Sequence, residues 1–302
     1  MRPLAIARGT YLAARGAIVG TWYRSNNWGD ALNPYLLHRL SKRKAVHEQD
    51  VPRGINKHFV YAVVGSILQN IRSNNVIVWG AGFVEGNRRM HMKPRQVCAV
   101  RGPLSRGVLL KQGIDCPEVY GDPALLMPLL YEPPRPNTRF RLGIIPHYVD
   151  QGEPWLRKIS QRDDISIINV KSDITAFIDS VAECDAIASS SLHGLIVADA
   201  YAIPNIWIKL SDSVSGYGFK FRDYFASVNR GKSTRRCIQV RDDTQIDEVV
   251  EQATQTSLHI RLDDVIEACP FINARVRYVI ITEMQRKRLY QSLITKEMSK
   301  WR

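Results

Sequence analysis

"DAIASSSLHGLIVADAYAIPNIWI", residues 185–208, reads as a strand, a polar turn, a helix and a second strand in one unbroken run. The opening apolar residues are short and bounded by polar ones, which predicts a buried strand ending near Ser189. Leu195, Ile196, Ala198, Asp199 and Ala202 then recur at roughly helical spacing until Pro204 stops the helix. Ser189, Ser190, Ser191 and His193 therefore sit at a strand's carboxyl end and a helix's amino end. Ligands bind there in open α/β sheets, and free helix N–H groups favour anions. A plain capped helix with a packed histidine also fits, because serine is a good N-cap.

Working outward, strand-like and helix-like runs alternate, the pattern of an α/β protein. The expected strands are 17–23, 59–66, 76–82, 96–102 and 119–125, then 141–147, 165–170, 185–190 and 205–210. Between the two sets, "YEPPRPNTR" (131–139) has three prolines and reads as a linker. The expected organisation is an N-terminal Rossmann-like domain over 1–130, the linker 131–139, a second Rossmann-like domain over 140–242, and a helical segment over 243–302. Two such halves face each other across a cleft, which suits bringing a phosphorylated donor to a sugar acceptor.

The 302 residues, 45% hydrophobic and 24% charged, are enough for two cores and argue against disorder. Five cysteines without CxxC spacing predict a reducing compartment and no structural zinc. Arg2, Arg8 and Arg15 interrupt the N-terminus too often for a secretory signal, and no run of apolar residues is long enough to span a membrane. A cytoplasmic protein is expected. The net charge of +13 suits nucleic acid, an anionic membrane face or phosphorylated substrates. No zinc-finger, KH or RRM signature accompanies it, so nucleic acid is not an expected partner.

Other strand-end motifs carry candidate chemistry. In "NNWGDALN" (26–33) Gly29 and Asp30 suit a turn and a helix cap, while Asn26, Asn27 and Trp28 suit sugar hydroxyls and a sugar face. "VWGAGFVEG" (78–86) lacks the dinucleotide fingerprint, so NAD is not expected. "VRGPLS" (100–105) puts Arg101 at a strand end, where a guanidinium can hold a phosphate or carboxylate. Asp122 in "YGDPALL" reads as a turn cap, and His147 in "IIPHYVD" faces the cleft of the second half. Lys209, Ser213, Ser215 and Lys220 follow the last strand and suit either a closing loop or a solvated one. The histidines are scattered without HxH or HExxH spacing, so no metal is expected.

In this order, "NNWGDALN", "VWGAG", "VRGPLS", "YGDPALL", "IIPHYVD" and "SSSLHGLIVADAYAIPNI" resemble the polysaccharide pyruvyl transferase family, over about residues 20–225. The bacterial exopolysaccharide ketal-pyruvyl transferases are the nearest resemblance. It implies a GT-B-like fold, phosphoenolpyruvate as donor substrate, no further cofactor, and a saccharide acceptor, expected to be lipid-linked. It implies that Ser189, Ser190, Ser191, Leu192 and His193 hold the donor with Arg101, His147 and Lys209. His193 is then the general acid or phosphate binder, Asp30 the base, and Asn26 to Gly29 the acceptor wall. Where many members carry Arg before Leu-His-Gly this chain has Ser191, leaving Arg222 or Lys209 as cations for that role. A nucleotide-sugar glycosyltransferase of the same fold is the alternative. The tail 274–302 has eight Lys or Arg against two acids, with Tyr278, Ile281, Leu289 and Leu293 near helical spacing. A solvated helix across the domains explains it, and so does peripheral contact with the inner membrane.

Overall fold

The computed structural model describes residues 2–25, 27–52, 58–134, 138–230, 236–255 and 258–299, with side chains from residue 3 to 286. Strands β1 (Ile18–Thr21), β2 (Ala45–His47), β3 (Val60–Ala62), β4 (Val76–Trp79) and β5 (Gln96–Ala99) form one sheet in the order β2-β1-β3-β4-β5. Strands β6 (Leu142–Ile145), β7 (Ile165–Ile167), β8 (Ile187–Ser189), β9 (Asn205–Lys209) and β10 (Cys237–Gln239) form a second, ordered β10-β9-β8-β6-β7. Every pairing in both sheets is parallel. Most strand residues are buried, as sheets covered by helices on both faces require. Each sheet repeats the doubly wound order in which the chain reverses direction between its first and third strands. The reversal points are β1/β3 and β6/β8.

The α-helices are α1 (Arg2–Ala14), α2 (Trp28–Ser41), α3 (Pro103–Leu110), α4 (Pro154–Ile159), α5 (Ile174–Ala182), α6 (Leu192–Ala200), α7 (Phe219–Ser227), α8 (Ile246–Gln252), α9 (Leu262–Glu267) and α10 (Ala274–Ser299). No helix among the described residues is long and apolar enough to cross a membrane.

Several elements depart from the sequence expectation. Residues 119–125 were expected as a strand but make only a bridge between Val100 and Tyr120 before a 3-10 helix, Pro123–Leu129. Pro123 and Pro128 remove two ladder donors, and Asp122 caps the helix by accepting the Ala124 N–H at 3.0 Å. The 59–66 run stops being a strand at Ala62, because the Asn33 amide takes both backbone groups of Val64, at 2.9 and 3.2 Å. Strands β2 and β10 and helix α1 were not expected; both strands lie among charged residues, so no apolar run marks them.

One apolar core runs through both halves. Trp28, the first residue of α2, is 1% exposed; its indole donates to the Ile174 carbonyl at 3.1 Å and packs on Phe177 at 5.2 Å between centroids. A second joint links α3 to α7. Asp223 of α7 is fully buried and accepts the Ser105 N–H at 2.9 Å, the Ser105 hydroxyl at 2.6 Å and Arg101 Nε at 3.0 Å. The C-terminal segment returns to the first sheet. Trp79 donates to Val265 O at 2.7 Å, and Phe271 packs edge-on against Trp79 and Tyr61. On α10 the buried face is Ile280 and Met284, while Tyr278 is 73% exposed, so the apolar stripe read from Tyr278 and Ile281 is rotated. Leu289 and Leu293 lie beyond the described side chains.

Candidate functional site

Both reversal points open onto one cavity of about 770 Å³. The first half contributes Tyr23, Ser25, Asn27 and Asp30 after β1, and Gly65 and Ser66 after β3. The second contributes His147 after β6, Ser191, Leu192 and His193 after β8, and Lys220 from α7. Two rim arginines are paired with acids: Arg24 with Asp50 at 2.6 Å and Arg88 with Glu85 at 3.0 Å.

On the first wall Asn27 is the N-cap of α2, accepting the Asp30 N–H at 3.0 Å. Its amide also donates to Asp30 Oδ2 at 2.6 Å, beside a hydrogen bond from the Ser25 hydroxyl. Burial raises the Asp30 carboxyl to about 6, with the Ser25 and Asn27 hydrogen bonds and the Lys220 charge opposing it. Asp30 thus changes charge near neutral pH at the cavity wall. Asn26 lies outside the described residues.

On the second wall the three serines have distinct tasks. The Ser189 hydroxyl donates to backbone carbonyls of Ile145 and Ser191 and accepts the Ser191 N–H at 3.0 Å, fixing the turn. Ser190 donates to the buried Asp150 at 2.6 Å and accepts the His147 N–H at 2.8 Å, tying the two strand ends together. Ser191 is the N-cap of α6 but makes no side-chain cap bond, and with Leu192 it lines the cavity. Only Ser191 of the three presents its side of the turn to the cavity; Ser189 and Ser190 are buried beneath it.

The two cavity histidines are held neutral. Burial, then the Lys220, Arg101 and His147 charges, push His193 down to about 3. Burial and Lys220 do the same to His147, to about 3. The His193 ring lies against Gly29, where a Cβ would stand 2.0 Å from Nδ1. Gly29 is therefore a packing glycine for that ring, and Trp28 beside it is an interface residue with no face turned to a sugar.

The cations are redistributed relative to the sequence reading. Arg101 is fully buried, donating to Ser66 Oγ at 2.7 Å, the Phe83 carbonyl at 2.6 Å and Asp223. It stands behind the cavity wall, reaching the cavity only through Ser66. Lys209 pairs with Asp212 at the end of β9 and does not line the cavity, and Arg222 donates to the Tyr217 carbonyl. Lys220 lines the cavity instead. Its ammonium has no hydrogen-bond or ion-pair partner among the described residues and stands 5.5 Å from the Phe221 ring. Burial and Arg101 lower it to about 8, with Asp150 and Asp30 opposing. Sequence spacing could not single out Lys220 from Lys209, because the loop between them has no periodicity. Among the described residues no group of three His, Cys, Asp or Glu could hold a metal ion.

A small anion fits this arrangement: an ammonium with no partner among the described residues, the N-terminus of α6, and titratable Asp30 and His193 on facing walls. The family model described as polysaccharide pyruvyl transferase matches residues 18–212. The chain is 28% identical over 230 residues to uncharacterized protein L143 of Acanthamoeba polyphaga mimivirus, covering 74% of this chain and 78% of that protein. It is 26% identical over 220 residues to succinoglycan biosynthesis protein ExoV of Rhizobium meliloti (strain 1021), covering 70% of this chain. The match spans 64% of the ExoV length, less than two thirds.

Proposed function

The chain belongs to the polysaccharide pyruvyl transferase family, and from that premise we propose that it moves pyruvate from phosphoenolpyruvate onto a saccharide as a cyclic ketal. The observation that carries this reading is the Lys220 ammonium, unpaired among the described residues, in a cavity bounded by both reversal points. We read the molecule as two Rossmann-like halves in a GT-B-like arrangement, with the donor at the α6 side and the acceptor at the α2 side. Lys220, Ser191 and the first N–H groups of α6 take the phosphate and carboxylate of the donor. Arg101 adds fixed charge from behind Ser66.

The chemistry divides between the walls. His193 delivers a proton to C3 of the donor; the C2=C3 electrons form the new C–H bond and leave C2 oxocarbenium-like. One sugar hydroxyl bonds to C2, and Asp30 takes its proton. A neighbouring hydroxyl then closes the ring on C2 as the C2–O bond to phosphate breaks, and its proton leaves with the phosphate. The proton on Asp30 returns to His193 through solvent, restoring the start. Because His193 is neutral in the free protein, the anionic donor must bring the charge that lets it protonate.

The relative named for succinoglycan biosynthesis supports an exopolysaccharide as the acceptor; we read it as a lipid-linked repeat unit met at the cytoplasmic membrane face. The family match gives no support to nucleotide-sugar transfer. Incubation with phosphoenolpyruvate and a panel of saccharides, followed by mass spectrometry, tests the proposal. The expected product has gained one pyruvate less one water, with equimolar phosphate released. Phosphate release without any saccharide product would contradict it.

A further inference from the structure

Asp122 and His193 come from opposite halves and face each other in the core of the site. Asp122 Oδ1 is occupied by the Ala124 N–H at 3.0 Å. Among the described residues its Oδ2 has no hydrogen-bond partner, nor has Nε2 of His193; both atoms are sealed from solvent and stand 3.8 Å apart. A buried polar atom left unpaired costs about 1–3 kcal/mol, so two of them facing each other call for a reason. A movement of roughly one ångström would bring them to hydrogen-bond distance.

Resting on the pyruvyl-transfer reading, we propose that Asp122 is a positioning residue for His193: it holds a proton on Nε2, leaves Nδ1 to serve the substrate, and stabilises the imidazolium form. With Nε2 closed off by Asp122, Nδ1, on the side of the ring that Gly29 leaves uncovered by any side chain, is the nitrogen that gives its proton to C3 of the donor. The ring then returns to the neutral form with its hydrogen on Nε2. The groups around the pair set when this happens. Lys220 of α7, Arg101 after β5 and His147 after β6 oppose charge on the ring. Arg101 favours the Asp122 carboxylate, Asp223 of α7 opposes it, and Tyr224 lies close enough to sense it. Asp30 adjoins Gly29 on the α2 side. An anionic donor offsets the cations, and Asp122 then supplies the compensating charge that, among the described residues, no other acid provides to Nε2.

NMR of protein labelled with ¹⁵N-histidine, assigned by the spectrum of His193→Gln, tests this on the unmodified chain. The expected result is the Nε2–H tautomer in the free protein and imidazolium on adding phosphoenolpyruvate. Asp122→Asn keeps the Ala124 cap acceptor; it should lose that protonation and lower kcat about a hundredfold or more, with KM for phosphoenolpyruvate within about threefold. A free-protein Nδ1–H tautomer, or a wild-type kcat and pH profile in Asp122→Asn, would overturn the inference. If the unmodified chain neither binds phosphoenolpyruvate nor forms a ketal, the functional reading fails instead, while the tautomer still reports on Asp122.

Discussion

Lys220 shows how much a single charge depends on what surrounds it. The sequence reading placed Lys209 and Lys220 in one loop and bet on Lys209, yet Lys209 spends its charge on Asp212. Removing the cavity ammonium with Lys220→Ala should weaken phosphoenolpyruvate binding about tenfold to a hundredfold, the worth of one charge-assisted hydrogen bond; calorimetry measures it. Because its ammonium is lowered to about 8, affinity should hold below that pH and fall above it. Lys220→Arg, charged throughout, should keep binding and remove the decline.

His147 and His193 give stability a pH dependence of defined sign. Both are held neutral to about 3 in the fold, against an ordinary value of 6.5. Between those values unfolding takes up protons, so stability falls as pH is lowered. Asp30 and Asp122, raised from 3.8 to about 6, oppose this between those two values, since the folded state holds their protons more tightly. Tm should drop on acidification from about pH 7 to 5, and drop less in His147→Gln/His193→Gln. An equal drop would show that these rings do not set it. At this scale the sequence revealed which residues stand at strand ends, including His193, Ser191 and Asp30, because periodicity marks where strands and helices stop. It did not reveal which of them are buried.

Between elements, the joint of α3 with α7 is where the sequence was least informative. Arg101 has the strand-end position of an anion ligand, but its partner is Asp223, far along the chain and invisible to any local pattern. Arg101→Ala would leave that buried carboxylate and Ser105 without their cation. The cost should be about 3–5 kcal/mol, seen as a clear fall in Tm, where a pure donor ligand would leave Tm unchanged. A Cβ at Gly102 would stand 2.1 Å from the Asp223 carbonyl oxygen, so Gly102→Ala should cost about 1–3 kcal/mol through overpacking. Gly102 was legible only as part of a turn. The "YGDPALL" segment misled for a related reason: its apolar content looks like a strand, while Pro123 and, just beyond it, Pro128 forbid the ladder and leave Asp122 facing His193.

For the whole molecule, two doubly wound sheets could be read from alternating strand and helix patterns, since strand, turn and helix signals are local. Their mutual placement could not. Trp28 docks on α5 and Trp79 on α9 through single long-range hydrogen bonds that no periodicity encodes. The net charge of +13 and the basic tail belong to this scale too. With Tyr278 and Val279 exposed within that tail, binding to anionic vesicles should exceed binding to neutral ones at low salt, each basic residue near the surface adding about 1 kcal/mol. Equal co-sedimentation with both would exclude the membrane contact.

The assignment of the shared cavity to a phosphoenolpyruvate donor is most directly tested by calorimetric titration, which needs no acceptor. Phosphoenolpyruvate should bind the unmodified chain at one site, bind Lys220→Ala about tenfold to a hundredfold more weakly, and leave nucleotide sugars without measurable heat. Binding of a nucleotide sugar with no response to phosphoenolpyruvate, or equal phosphoenolpyruvate affinity in both proteins, would contradict it.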